Sequence, residues 1–192
     1  MSLDDKIKWD EKYIKESKLL ELRPHSNKLD FIIKSTKGIN VLDLACGSGR
    51  NSIYLAKNNF IVDAYDISKV ALDKIDSYNI ENLTTHQIDL DLFNPTYLDY
   101  DLIVMTNFLD RKLINRISKI MKKESIFFIE TFMEHELNEK PSSNPNFLLK
   151  KEELKNLFNS DFKILDYDEY ENESYELFKM MKQSIVVKKL VD

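Results

Sequence analysis

The chain has 192 residues, a net charge of −5 and 43% hydrophobic residues, enough for one domain with a sizeable core and little else. The acidic balance disfavours nucleic-acid partners, which need phosphate-neutralising cations; Lys119, Lys122 and Lys123 are spaced like the solvated end of a helix. Cys46 is the only cysteine, so no internal disulfide can form, as suits a reducing cytoplasm. The opening residues carry no apolar signal core, and no apolar run approaches the ~20 residues that span a bilayer, so no membrane role is expected.

In chain order, Lys6 to Leu22 reads as an amphipathic helix, with Ile7 and Ile14 at helical spacing and Pro24 as its stop. A second helix covers Asn27 to Lys34. Ile39 to Ala45 is an apolar strand, Asn51 to Lys57 a helix, Phe60 to Tyr65 a strand, and Ser68 caps a helix running to Ser77. Strands follow at Leu83 to Ile88, Asp101 to Met105 and Ile126 to Phe132, with a helix at Asp110 to Met121. Glu134 to Pro145 is polar, holds two prolines and reads as a mobile loop. Lys150 to Ser160 is a further helix. Phe162 to Tyr170 and Leu177 to Lys189 form a hairpin joined by Glu171 to Ser174. Alternating strands and helices predict a Rossmann-like α/β fold with right-handed crossovers.

The chain has three glycines, and two of them, Gly47 and Gly49, follow the first strand. Strand, glycine turn and helix form the nucleotide-binding corner of an open α/β sheet. No Gly-Lys-Ser/Thr follows, which excludes a Walker loop, and Ser52 stands where a dinucleotide fingerprint wants glycine or alanine. Asp43 ends the strand with a carboxylate that would repel a pyrophosphate. It favours S-adenosylmethionine (SAM), which carries a sulfonium and an ammonium. Asp66 closes the second strand at the spacing of a ribose-binding acid, which SAM and NAD would both use. Asp89 beyond the third strand can accept an adenine amino proton.

These blocks resemble the class I SAM-dependent methyltransferases, and more narrowly their small tellurite-resistance-type branch. The resemblance runs through Trp9-Asp10-Glu11-Lys12-Tyr13, Arg23-Pro24-His25-Ser26, Val41 to Ala56, Val62 to Ser68 and Gln87 to Leu90. It continues through Phe108 to Arg111, Ile129 to Phe132 and Asn144 to Leu149. It implies a seven-stranded, mostly parallel sheet of order 3-2-1-4-5-7-6 with strand 7 antiparallel. It also implies an N-terminal helical cap (1–36) on an α/β core (37–192) in a single domain. Asp43, Gly47 and Gly49 would flank the methionine part of SAM, with Ala45 and Arg50 of the same turn also on the cofactor. Asp66 and Ile67 would take the ribose side, Asp89 and Leu90 the adenine, and Thr106 the methyl-transfer cavity.

Trp9 either stacks near the sulfonium, with Tyr13 placing a hydroxyl at the methyl group, or simply anchors its helix. Arg23 and Arg50 either hold a carboxylate or an anionic substrate, or make ordinary ion pairs. Cys46 is either a thiol activated beside a helix N-terminus or a small packed residue. No motif fixes a general base; Tyr13, Arg111 and His135 are the catalytic candidates, and His25 is a further histidine at a lid position. No metal site is expected. Asn144-Pro145-Asn146-Phe147 is similar to the Asn-Pro-Pro-Tyr element of amino-methylating DNA enzymes. It lacks the second proline and follows the fifth strand rather than the fourth, which argues against that chemistry. The expected activity is methyl transfer from SAM, giving S-adenosylhomocysteine (SAH), to a small acceptor such as a thiol or a chalcogen oxyanion (tellurite or selenite). A SAM sensor without catalysis and an NAD-dependent oxidoreductase are the rivals, and the protein would be a monomer or homodimer.

Overall fold

The computed structural model describes residues 3–140, 144–176 and 178–191. Seven strands form one sheet: β1 (Asn40–Leu44), β2 (Ile61–Asp66), β3 (Leu83–Gln87), β4 (Leu102–Thr106), β5 (Ile126–Phe132), β6 (Phe162–Glu171) and β7 (Met181–Lys189). Their order is β3-β2-β1-β4-β5-β7-β6. The first five pair in parallel, and β7 runs antiparallel to both β5 and β6. This is the topology the resemblance implied.

The central strands are continuous apolar runs because both of their faces are covered. On one face Val41, Val62, Val104 and Phe128 pack with Leu29 and Ile32 of α2 (Leu29–Ser35) and Leu55 of α3 (Arg50–Lys57). On the other, Leu42, Ile103 and Phe127 pack with Leu113 and Ile117 of α5 (Arg111–Ile120) and Leu154 of α6 (Glu153–Asn156). Ser68 caps α4 (Lys69–Asp76), its side chain accepting the Ala71 amide, as its residue type predicts. Asp110 caps α5 in the same way.

Three expected elements differ. The first helix, α1, spans Leu3–Lys15 and stops at Glu16, with a separate 3-10 turn at Ser17–Leu20. The Ser48 hydroxyl donates to the Leu19 carbonyl at 3.0 Å, so a tertiary partner holds this turn against the glycine corner. The helix expected over Lys150 to Ser160 shrinks to α6. Buried Gln183 intercepts its start, donating to the Lys150 carbonyl at 2.5 Å and accepting the Leu154 amide at 3.1 Å. The hairpin turn is longer than four residues, because β7 begins at Met181 and residues 172–180 form the connection. Of the expected Glu134 to Pro145 loop, residues 134–140 are irregular; Pro141, and likewise Leu177 of the last strand, lie outside the described residues. Among the described residues no helix is long and apolar enough to cross a membrane.

Gln183→Met keeps the volume but orphans the buried Leu154 amide, while the Lys150 carbonyl keeps the Glu153 amide. It is expected to lower stability by about 1–3 kcal/mol, read as a reduced urea midpoint with unchanged slope.

Candidate functional site

The site is built on the turn between β1 and α3. Ala45 (φ 55°), Gly47 (φ 55°) and Gly49 (φ 82°) all adopt left-handed backbone. A side chain on Gly49 would sit 2.6 Å from Ile75 Cγ1, and one on Gly47 would sit 2.9 Å from the Tyr13 hydroxyl. Ala45 takes the same conformation with a Cβ, at a steric cost of about 1–2 kcal/mol. The turn is tied to β2: Cys46 N–H donates to the Tyr65 carbonyl at 3.0 Å, and Gly47 N–H donates to Asp66 Oδ2 at 2.8 Å. The other Asp66 oxygen accepts the Ser68 amide at 2.9 Å. Burial pushes the Asp66 carboxyl up, against the pull of these amides.

Asp43 lies beneath the turn. Its Oδ2 accepts the Ser52 hydroxyl at 2.5 Å, while its Oδ1 is buried without a hydrogen-bond partner. Burial pushes this carboxyl up to about 7, with the Ser52 hydrogen bond and the Arg50 charge opposing. A buried carboxylate oxygen without a donor suits a cationic or hydrogen-bond-donating ligand group nearby.

A cavity of about 280 Å³ opens at this corner, near the low end of small-ligand pockets at ~300 Å³. Trp9 and Tyr13 line it from α1, Ala45, Gly47 and Arg50 from the turn, and Asp66 and Ile67 from the end of β2. Leu90 closes it beyond β3 and Thr106 at the end of β4. Asn51 donates to the Thr106 hydroxyl at 3.0 Å and so fixes it. Asp43, Gly49, Asp89, Arg111 and His135 are not among the lining residues. Gly49 acts through the turn's shape, and Asp89 Oδ1 accepts the Asp91 amide beside Leu90.

Arg111 pairs with Glu153 through Nε at 2.5 Å and bonds the Asn146 and Leu148 carbonyls, clamping residues 146–148 onto α5. His135 is exposed and its Nδ1 accepts the Leu137 amide. His25 stacks on Tyr54 at 3.5 Å between ring centroids. Burial and the Asp66 charge push the Tyr13 hydroxyl well above the ordinary phenol range, so it stays protonated. The Cys46 thiol is likewise pushed up by burial and packs against the core formed around Val41 and Leu55.

Arg50 is buried in a charged cluster. It donates to Glu130, Glu173, the Tyr175 hydroxyl and the Pro24 carbonyl. Glu130 also accepts from Ser26 at 2.5 Å, Tyr170 at 2.7 Å and Lys182 at 3.4 Å. Phe108 and Phe132, from the sequence segments that follow β4 and end β5, also line the cavity wall, and sequence reasoning missed Glu176. Phe108 and Phe132 lie within blocks that carry the family resemblance. No sequence signal marks Glu176, which arrives from the 172–180 connection.

The glycine corner, the β2 acid and the sheet order define a SAM-dependent methyltransferase, and SAM is the cofactor of that class. The chain belongs to the family described as tellurite resistance protein TehB, whose profile matches residues 6–188. TehB from Haemophilus influenzae superposes with a TM-score of 0.74 at 24% identity, covering 94% of this chain and 67% of that one. A SAM-dependent methyltransferase from Methanosarcina mazei gives 0.66 at 19%, covering 84% and 98%. Coclaurine N-methyltransferase, bound to N-methylheliamine and SAH, gives 0.66 at 13%, covering 98% and 88%. No curated protein sequence matches the chain.

The folded Asp43 carboxyl, at about 7, titrates above an unfolded value near ~3.9. Its contribution to stability is therefore greatest below the unfolded value and is lost as pH rises through the folded one. Asp43→Asn removes that loss. Without ligand, the variant is expected to be more stable than the wild type at pH 8 by on the order of 2–4 kcal/mol, with the gap closing towards pH 4. Thermal denaturation across pH checks this, and a gap independent of pH would contradict it.

Proposed function

We propose that the protein transfers a methyl group from SAM to a small-molecule acceptor within this cavity. The observation that carries the reading is the Asp66 carboxylate, held at the cavity wall by the Gly47 and Ser68 amides. It keeps acceptor capacity for a pair of ribose hydroxyls. When bound, SAM supplies a methyl carbon activated by its sulfonium. The residues present suit that group: Trp9 and Tyr13 line the cavity with aromatic rings that attract a cation, and Asp66 places a carboxyl on its wall.

Thr106, Phe108 and Phe132 line the cavity on the β4 and β5 side, where an acceptor can approach. Tyr13, kept protonated, donates a hydrogen bond and does not abstract a proton. His135 lies off the cavity wall. The arrangement therefore favours an acceptor that needs no strong base, such as a thiolate or a chalcogen oxyanion. Positioning then supplies most of the acceleration, since well-aligned intramolecular reactions gain up to ~7–11 kcal/mol. Residues 1–36 act as a cap in this reading: Trp9 and Tyr13 of α1 form one wall and exclude water from the reacting atoms.

Calorimetry with SAM, SAH and NAD side by side tests the cofactor. Micromolar binding of the first two, with none of NAD, is expected; binding of NAD alone would overturn the proposal. Asp66→Ala should weaken SAM binding by about 2–3 kcal/mol through loss of charge-assisted hydrogen bonds, and an unchanged dissociation constant would remove Asp66 from the ribose.

A further inference from the structure

Several polar groups on the cavity wall are already committed. Asp66 holds two backbone amides, Arg50 bonds Glu130, Glu173 and Tyr175, and Arg23 pairs with Glu176 at 2.8 Å. Thr106, at the end of β4, is different, because its neighbours fix where its hydroxyl proton can go.

The Ser26 backbone N–H can only donate, and it donates to Asn51 Oδ1 at 3.0 Å. That orients the Asn51 carboxamide, with its oxygen towards Ser26 and its nitrogen towards Thr106, and the network leaves no choice of flip. Asn51 Nδ2 then donates to Thr106 Oγ1 at 3.0 Å. The Thr106 oxygen is therefore the acceptor of that bond, and its proton must point elsewhere. Among the described residues the Thr106 hydroxyl has no other hydrogen-bond partner. Ser26 is itself held by its hydroxyl, which donates to Glu130 Oε2 at 2.5 Å. Ser26 and Asn51 are each 2% exposed, whereas Thr106, at 8%, reaches the cavity wall.

We infer that Thr106 presents its O–H to the methyl acceptor as a directed hydrogen-bond donor, and that Asn51 is the positioning residue that aims it. This rests on the methyl-transfer reading above. The donor suits an acceptor rich in lone pairs, thiolate and oxyanion alike. In transfer, one acceptor lone pair forms the bond to the methyl carbon, and the electrons of the broken S–CH3 bond return to sulfur, leaving SAH. The Thr106 proton is not transferred; its hydrogen bond holds the acceptor in line. A simple tie between α3 and β4 would need the Asn51–Thr106 bond but not its polarity.

The test measures steady-state methylation of thiophenolate and of selenite, in separate arms, by the full chain. The variants are Thr106→Val, Thr106→Ser, Asn51→Asp and the combination of Thr106→Val with Asn51→Asp, each first shown by calorimetry to bind SAH. Thr106→Val should raise KM for the accepted probe by roughly tenfold or more, with a smaller change in kcat, and Thr106→Ser should keep KM near the wild type. Asn51→Asp keeps the shape but accepts at both ends, so it draws the Thr106 proton away from the cavity and should raise KM as Thr106→Val does. In the Thr106→Val background it should add little. Where Asn51→Asp fails to bind SAH, Asn51→Ala replaces it and should likewise raise KM only while Thr106 is present. The arm that turns over shows whether sulfur or an oxyanion takes the bond. An unchanged KM in Thr106→Val, or an Asn51 effect as large in the Thr106→Val background as alone, overturns the inference and leaves the cofactor reading standing. So does a wild type that binds SAH and methylates neither probe. A wild type that does not bind SAH removes both readings.

Discussion

One buried carboxylate holds the ligand corner together. Asp66 sits at the end of β2 and accepts the amides of Gly47, in the turn after β1, and of Ser68, at the head of α4. Burying a charge is costly unless backbone donors replace its water, and two oriented amides do so here. Ser68 extends the arrangement, since its hydroxyl donates to Asp10 of α1 at 2.6 Å. The helix carrying Trp9 and Tyr13 is thus referenced to the same carboxylate as the glycine turn. A displacement of β2 would move the floor and one wall of the cavity together.

The opposite side of the cavity depends on a second buried charge. Glu130 and Lys182 are each 1% exposed, a placement tolerated only because Arg50, Glu173, Tyr170 and Ser26 complete the hydrogen bonding. This cluster draws together α3, β5, β6, β7 and the segment after Pro24. It ties Glu173 and Tyr175, between β6 and β7, to Arg50 and Lys182, which a tight turn would not allow. Arg50 thereby contributes shape and field at the cavity, while Arg23 keeps an unpaired donor there.

Asp43 shows stability and function pulling apart. A carboxyl pushed to about 7 with one oxygen unpartnered is unfavourable for the free protein. Asp43 does not line the cavity, so a cationic ligand would act on it through charge across the turn rather than by direct contact. Ala45, in left-handed backbone beside it, adds a smaller cost at the same corner.

Much of this was legible in the sequence. The apolar runs of β1, β4 and β5 and the cap at Ser68 are local signals. So is the glycine turn, because backbone sterics act over a few residues. The sheet order came from the resemblance, since periodicity does not rank strands. What failed did so where a distant side chain took over a backbone group: Ser48 on Leu19, and Gln183 on Lys150 and Leu154. The sequence by itself determined the α/β class, the glycine corner and the acids that flank it. Only the tertiary structure decided which side chains share the cavity. It committed Arg50 to Glu130 and Arg111 to Glu153, left His135 outside, and brought Glu176 to Arg23 from 153 positions away. Pairings of that kind depend on how the chain closes on itself, and no local pattern encodes them.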